Sequence, residues 1–216
     1  MQDATAAPER HDRLENFPIS FFAMVMGLMG LSLALHAGSV AFPALARASE
    51  AMLWVSVAVF AGIAGLYLLK GLRHPGAVAW EWNHPVRLAF FPAISISLLL
   101  IATGLMATRP GLAMVVWWVG VAGQGVLTLA VVSGWIGHRA FQVGHLTPAW
   151  FIPAVGNVIV PVAGVPLGFA EVSWLFFSAG LVFWIVLLTL VFNRLVFHDP
   201  VPARLFPTLV ILIAPP

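Results

Sequence analysis

Residues 173–192 read SWLFFSAGLVFWIVLLTLVF, a stretch that contains neither a charged residue nor a proline. A helix rises about 1.5 Å per residue, so about 20 apolar residues cross the roughly 30 Å hydrocarbon core of a bilayer. Just before it, residues 147–169 read TPAWFIPAVGNVIVPVAGVPLGF and are equally apolar, but they carry four prolines. We therefore expect a straight membrane-spanning helix preceded by a kinked one.

The composition of the whole chain agrees with a membrane protein. Hydrophobic residues make up 61% of the 216 residues, charged residues 8%, and the mean hydropathy is +1.00. A soluble domain has about 25% charged residues, and disordered chains have low hydrophobicity and high charge, so both classes are excluded. The absence of cysteine excludes a disulfide scaffold, a thiolate metal site and a cysteine nucleophile. Ten basic against eight acidic residues is too small an excess to indicate nucleic-acid binding.

The apolar stretches predict an all-α integral membrane protein with seven spans in this chain. Residues 1–16 form a polar tail, and residues 17–216 form the membrane domain. The predicted spans are 17–37, 51–69, 86–107, 112–136, 150–163, 173–196 and a last one that opens near Leu205. A helix that stops halfway across lipid would leave backbone carbonyls unpaired, so we expect the chain to be incomplete at its C-terminus.

The basic residues predict the orientation. If every span crosses the membrane, eight of the ten basic residues lie on the N-terminal side, namely Arg10, Arg13, Lys70, Arg73, Arg87, Arg139, Arg194 and Arg204. Only Arg47 and Arg109 lie on the other side. Because cytoplasmic loops are enriched in Lys and Arg, we expect a cytoplasmic N-terminus in the inner or plasma membrane.

Prolines divide the spans into two classes. The second, fourth and sixth spans contain none, whereas the odd spans carry Pro18, Pro92, Pro153, Pro161, Pro207 and Pro215. Proline kinks a helix and frees a carbonyl, which a membrane tolerates only where neighbours or water can satisfy it. This indicates a repeat of helical hairpins, with Pro-kinked inner helices around a pore and plain helices in an outer ring. The alternative, that proline simply favours helix starts, explains Pro18, Pro92 and Pro207 but explains Pro161 and Pro215 poorly.

The fifth span provides the strongest candidate for a pore wall. Pro153, Asn157, Pro161 and Gly164 are spaced 4, 4 and 3 residues apart and share one helical face. A kinked face with one amide and no bulky side chain suits a pore wall, and an interhelical hydrogen bond from Asn157 is the equally good alternative.

Other small or hydroxyl-bearing residues, on the first and third spans, have simpler interpretations. The first span carries a small-residue stripe, which is more typical of close helix packing, at Ala23, Gly27, Gly30 and Ala34. The serines of the third span, which face the path or bond their own backbone, are Ser95 and Ser97.

Ionisable residues are absent from the middle of the predicted spans. This disfavours a proton pump or a voltage-sensing arginine helix, because both need intramembrane charges. The seven histidines lie at span ends, in connections or in the tail, without the i, i+4 spacing of a zinc helix, so we expect interfacial capping and no metal site. No catalytic triad or phosphate loop is visible either. We therefore expect no cofactor and no enzymatic activity.

Three segments carry a resemblance to a known family: NFPISFFAMVMGLMGLSLAL at 16–35, HPVRLAFFPAISISLLL at 84–100 and TPAWFIPAVGNVIVPVAGVPLGFAE at 147–171. Together with residues 171–216, they resemble the slow-type anion channel and tellurite-resistance (TehA) family, also called the voltage-dependent anion channel or C4-dicarboxylate transporter/malic acid transport family. The resemblance implies ten helices in five hairpins, of which this chain covers about seven. It also implies a pore of odd helices in each subunit of a homotrimer, occluded by a phenylalanine on a ninth helix beyond these residues.

These observations predict passive, gated conduction of small inorganic anions across a lipid bilayer. The expected pore-lining residues are Pro18, Ser20, Phe21, Pro92, Ser95, Pro153, Asn157, Pro161 and Gly164. Arg73, Arg87 and Arg139 are expected to attract anions at the cytoplasmic mouth, within a Debye length of about 8 Å. The alternatives are a secondary transporter of C4-dicarboxylates such as malate, or of an oxyanion such as tellurite, and an accessory subunit of a redox complex.

Overall fold

The computed structural model describes residues 12–137, 141–198, 200 and 203–213. Within these ranges five helices are long and apolar enough to cross a membrane, and no strand occurs. The helices are α1 (Ile19–Gly38), α2 (Leu45–Arg73), α3 (Pro75–Asn83), α4 (Arg87–Leu105), α5 (Pro110–Ile136), α6 (Pro148–Gly164) and α7 (Ala170–Phe197). A 3-10 segment, Ala203–Ile213, follows where the seventh span was expected. The expected all-helical membrane architecture is therefore confirmed.

The spanning helices pair as consecutive hairpins. α1 packs against α2, α4 against α5, and α6 against α7. The first hairpin is fastened by Ser32 and Ser49, whose hydroxyls each donate to the other residue's carbonyl at 2.9 Å. In the second hairpin, a Cβ on Gly120 would lie 3.0 Å from the Leu99 side chain, so glycine permits the close approach of the helices.

Burial divides the helices largely as the prolines predict. In α4, 67% of the most apolar window is buried, against 17% in both α2 and α7. Most of α6 is buried as well. α4 and α6 thus lie inside, and α2 and α7 lie outside. α1 and α5 do not follow the division, since 28% of the α1 window and 33% of the α5 window are buried, and one face of α1 is exposed.

α6 is a broken helix. It runs through α-helical turns at Phe151–Val155 and Val160–Gly164, joined by a 3-10 turn at Gly156–Ile159. Pro161 has no N–H to donate to the carbonyl of Asn157, four residues before it. The 3-10 turn gives the Asn157 carbonyl another donor, because the N–H of Val160 bonds to it instead. The proline pattern thus correctly indicated an irregular fifth span.

α3 was not predicted. It is a nine-residue helix between the second and third spans, and it starts with a proline at its first turn. It is too short and too mixed in polarity to register as a span. Its Glu81 side chain points inward and is fully buried, whereas Trp80 is exposed. α3 therefore brings a carboxylate under the N-terminal ends of α1 and α4.

Candidate functional site

The N-terminal end of α1 presents the most open of the expected pore-lining residues. Pro18 and Ser20 are half-buried, and 39% of the Phe21 side chain is exposed. Further along the same helix, Gly27 and Gly30 are exposed, and a Cβ on either would meet no atom within 4 Å. The expectation that this small-residue stripe packs against another helix is therefore not met within the described residues.

The expected pore-lining residues of α4 lie inside the bundle. Pro92 and Ser95 are buried, and the Ser95 hydroxyl lies 2.7 Å from Oε1 of Gln124 on α5 and 2.8 Å from the Pro92 carbonyl. The Ser97 hydroxyl donates to the Ala93 carbonyl of its own helix at 2.6 Å. The serines of α4 thus bond to their own helix, and Ser95 also bonds to α5.

The kinked part of α6 is held by polar side chains of α5. The Thr128 hydroxyl donates to the Pro153 carbonyl at 2.7 Å, and Nε2 of Gln124 approaches the same carbonyl at 3.2 Å. Asn157 is buried, with its Oδ1 atom 3.3 Å from the Thr128 hydroxyl and its Nδ2 atom donating to the Ala154 carbonyl at 2.9 Å. The single Thr128 proton goes to the Pro153 carbonyl, so among the described residues Asn157 contacts α5 through its Oδ1 atom and donates within its own helix.

Gly164 closes the same face of α6. A Cβ there would lie 2.3 Å from the Ser173 hydroxyl and 2.5 Å from the Trp117 ring, so α5 and α7 press directly on the backbone. The Trp117 indole donates to the Val160 carbonyl at 3.0 Å. Pro161 is the more open member of the face, being half-buried. The structure thus places Pro153, Asn157 and Gly164 close together, in contact with α5 and α7 and not with an open path.

Gln124 and Thr128 were missed by the sequence analysis. They stand one helical turn apart on α5, and each is at least nine-tenths buried. The available signal was an amide and a hydroxyl at i, i+4 in a span that has no proline inside it. Such a pair projects from one face and can satisfy the carbonyls that a kinked neighbour frees.

A second polar cluster lies on the N-terminal side, around the fully buried Glu81. Its Oε1 atom accepts from Arg87 Nη1 at 2.8 Å and from the Ile19 N–H at 3.3 Å. Its Oε2 atom accepts from Lys70 Nζ at 2.8 Å and from the Tyr67 hydroxyl at 2.9 Å. Four donors therefore converge on one carboxylate and tie α1, α2, α3 and α4 together.

These contacts set the charge state of the cluster. Burial alone would raise the pKa of Glu81, but the hydrogen bonds from Lys70 and Tyr67 and the charge of Lys70 hold that pKa below its ordinary value. Lys70 is also buried, and its ammonium donates to the Phe17 carbonyl at 2.9 Å. Lys70 and Glu81 lie at the connection between the second and third spans, but α3 folds Glu81 under the bundle and both side chains are buried there.

The three arginines expected at the anion entrance differ in their surroundings. Arg73 is exposed. Arg87 pairs with Glu81 and stacks on the Trp80 ring at 4.6 Å, so a large part of its charge is compensated. Arg139 lies outside the described residues. Of the two described arginines, only Arg73 thus presents its full charge to solvent.

The expected capping role of the histidines is confirmed at two of them. His84 Nδ1 accepts from the Val86 N–H at 3.2 Å, and His145 Nδ1 accepts from the Gln142 N–H at 3.2 Å. Burial, followed by the nearby charge of Arg87, lowers the pKa of His84, which favours the neutral ring that can accept this bond.

Comparison with known proteins shows the family to which the chain belongs. Residues 16–216 match the family model of the voltage-dependent anion channel, SLAC1. The chain belongs to this family. It is 31% identical over 171 residues to a tellurite resistance protein TehA homolog of Haemophilus influenzae, covering 78% of this chain and 52% of the relative.

Further proteins to which the chain is similar come from a plant and an archaeon. The S-type anion channel SLAH3 of Arabidopsis thaliana is 27% identical over 212 residues, which cover 94% of this chain and 33% of the relative. An uncharacterized transporter of Methanocaldococcus jannaschii is 25% identical over 214 residues, covering 94% of this chain and 63% of the relative. The chain thus spans between about a third and two thirds of the length of these relatives.

A large cavity lies at the end of the helix bundle opposite the Glu81 cluster. It has a volume of about 550 Å³ and opens between the ends of α1, α2 and α4. Ser32, His36, Glu50 and Thr103 contribute its polar lining. α1 and α4, the helices of the first and third predicted spans, thus meet at a recess that is open on the side away from the N-terminus.

Proposed function

We propose that the protein conducts small inorganic anions passively, by a gated path along α1, α4 and α6, the helices of the first, third and fifth predicted spans. The observation that carries this proposal is the face of α1 bearing Gly27 and Gly30, which is open and uncharged in a chain that matches the anion channel family over residues 16–216. Weak, uncharged contacts suit conduction, because an ion must enter a pore without being trapped there.

The expected path residues then take two roles. Pro18, Ser20, Phe21 and Pro161 are exposed or half-buried, and we assign them to the wall of the path. The buried residues Pro92, Ser95, Pro153, Asn157 and Gly164 shape the kinked helices that carry that wall. Arg73 and Arg139, with a partial contribution from Arg87, would raise the anion concentration at the entrance.

The setting of the path is also part of the proposal. Lys70, Arg73 and Arg87 lie at the end of the bundle where α1 begins, as the contacts of Lys70 with Phe17 and Glu81 require. We propose that this end faces the cytoplasm, as the positive-inside rule favours. We further propose that residues 17–216 are part of a homotrimer in the inner or plasma membrane, gated by a segment that this chain does not contain.

Electrical recording separates this proposal from its alternative. A protein with an anion path gives unitary currents in planar bilayers whose reversal potential follows the chloride or nitrate gradient. A secondary transporter of C4-dicarboxylates or tellurite gives slow, saturable uptake into vesicles without unitary currents. The second outcome would overturn the channel proposal. The absence of a buried arginine near the middle of the described spans favours the channel, because a carrier usually holds its anionic substrate at a midplane site.

A further inference from the structure

Arg194, near the end of α7, is a buried cation with little compensation. Only 5% of the residue is exposed, and its Nη1 atom donates to the Leu146 carbonyl. Among the described residues, no carboxylate lies within ion-pair distance of its guanidinium. A guanidinium has five N–H donors, and a buried charge is stable only when it is paired and hydrogen-bonded. Within the described residues, the Leu146 carbonyl is therefore the one acceptor for the Arg194 guanidinium, which has no paired anion there.

A cavity lies directly beside Arg194. It has a volume of about 300 Å³ and is lined by Val143, Gly144, Phe197 and His198 besides the arginine. Gly144 leaves the cavity open, because no atom lies within 4 Å of the position that a Cβ would take. A group the size of a phosphate therefore has room to reach the guanidinium, with the His198 imidazole as a second donor.

An apolar groove adjoins this cavity on the exposed side of α7. It has a volume of about 490 Å³, and its lining residues are Leu188, Thr189, Phe192, Asn193, Val196 and Phe197. Phe197 lines both spaces, so the polar cavity and the groove are adjacent on α7. Phe192 and Val196 are 61% and 57% exposed, and an apolar face this open on an outer helix is suited to contact with lipid.

We propose that the cavity and the groove form one binding site for an anionic phospholipid. The phosphate binds Arg194 and His198, and an acyl chain lies along the groove towards Leu188. Arginine matches phosphate oxygens with two parallel hydrogen bonds, and basic pockets between membrane helices near the surface bind anionic headgroups. The proposal does not depend on anion conduction, since the site lies on the outer helix α7, away from the open face of α1.

Native mass spectrometry of the purified protein in mild detergent tests the site. We expect phosphatidylglycerol to bind more tightly than phosphatidylcholine, and Arg194→Gln to weaken phosphatidylglycerol binding about tenfold, the loss of one charge-assisted contact. Arg13→Gln removes an exposed charge from the same side of the bundle and should leave binding unchanged.

The groove is tested independently of the arginine. Thr189→Trp fills it from an exposed position and should weaken phosphatidylglycerol binding, whereas Leu190→Trp, next to it but outside the groove, should not. If Arg194→Gln fails to fold, this pair of variants decides the question. The proposal is overturned if Thr189→Trp binds phosphatidylglycerol like the unmodified protein, or if inorganic phosphate displaces the lipid completely at equal concentration. It is equally overturned if Thr189→Trp changes the oligomeric state and leaves lipid binding intact, since a second copy would then occupy the groove.

Discussion

Gly164 lies where α6 passes between α5 and α7, and its surroundings leave no space for a side chain. The Ser173 hydroxyl and the Trp117 ring would both lie within 2.5 Å of an added Cβ. Trp117 is fully buried, so it cannot swing aside into solvent. We expect Gly164→Ala to lower the free energy of unfolding by about 1–3 kcal/mol, as overpacking of a filled core does. Thermal unfolding in detergent, followed by circular dichroism, measures the change.

Gly27→Ala is the matched control for that substitution. Its added Cβ would meet nothing within 4 Å, and alanine favours the helix by roughly 0.5–1 kcal/mol over glycine. We therefore expect this variant to be as stable as the unmodified protein or slightly more so. If both alanine variants unfold at the same temperature, the close contact at Gly164 does not exist.

Glu81 makes the stability depend on pH at the acidic end. Its pKa is lower in the folded protein than in the unfolded chain, so its contribution to stability is present above the ordinary glutamate pKa of about 4.3 and is lost as the pH falls through the lowered value. We expect the unfolding temperature to drop steeply below about pH 4, because protonation leaves Lys70 buried without its counter-charge.

The variant Glu81→Gln isolates this effect. It should be less stable at neutral pH by about 3–5 kcal/mol, the usual result of removing one partner from a buried ion pair. Its unfolding temperature should also vary less with pH between 3 and 6 than that of the unmodified protein. Equal slopes in the two proteins over that interval would mean that groups other than Glu81 determine acid unfolding.

At the scale of the helices, α6 is irregular and depends on α5 for its hydrogen bonds. The Pro153 carbonyl accepts from the Thr128 hydroxyl at 2.7 Å and from the Gln124 amide at 3.2 Å, so two side chains of α5 hold one carbonyl of α6. Polar pairs of this kind between membrane helices contribute modestly, on average about 0.6 kcal/mol and rarely more than about 2 kcal/mol. Several of them together fix how α6 bends.

We expect Thr128→Val to lower the free energy of unfolding by about 1–2 kcal/mol, because valine keeps the volume but removes the donor from a buried carbonyl. Thr103→Val is the control, since the Thr103 hydroxyl bonds only within its own helix, to the Leu99 carbonyl at 2.9 Å. Comparing the unfolding temperatures of the two variants gives the interhelical contribution. A larger loss in Thr103→Val would contradict the role assigned to α5.

The sequence predicted the helices that are marked by a long apolar stretch or by the positions of prolines. The five candidate spans and the shorter α6 agree with the expected spans within a few residues at most ends, although α2 begins at Leu45, six residues before the predicted start. α3 escaped prediction because nine residues of mixed polarity give no span signal. The direction of the Asn157 side chain could not be predicted either, since a face shared with two prolines fits a pore wall and a helix contact equally well. In the structure, Oδ1 of Asn157 lies 3.3 Å from the Thr128 hydroxyl of α5, which favours the helix contact.

For the whole molecule, the proposed anion path depends on the open face of α1. α1 and α2 form one hairpin, and each carries two exposed glycines at which a Cβ would meet no atom: Gly27 and Gly30 on α1, Gly62 and Gly65 on α2. On our proposal the first pair faces the path and the second pair faces lipid. The local packing is the same at all four positions, so substitutions there separate function from stability.

We expect Gly27→Phe to remove most of the chloride current in planar bilayers, because a ring in the path narrows it, while the unfolding temperature stays near that of the unmodified protein. Gly62→Phe makes the same change on α2, where the ring would extend into lipid, and should leave both current and stability as they were. Each variant is recorded at equal protein density in symmetrical chloride. Full current in Gly27→Phe, or a loss of current in Gly62→Phe as large as in Gly27→Phe, would show that ions do not pass along α1, because only a residue lining the path should obstruct them.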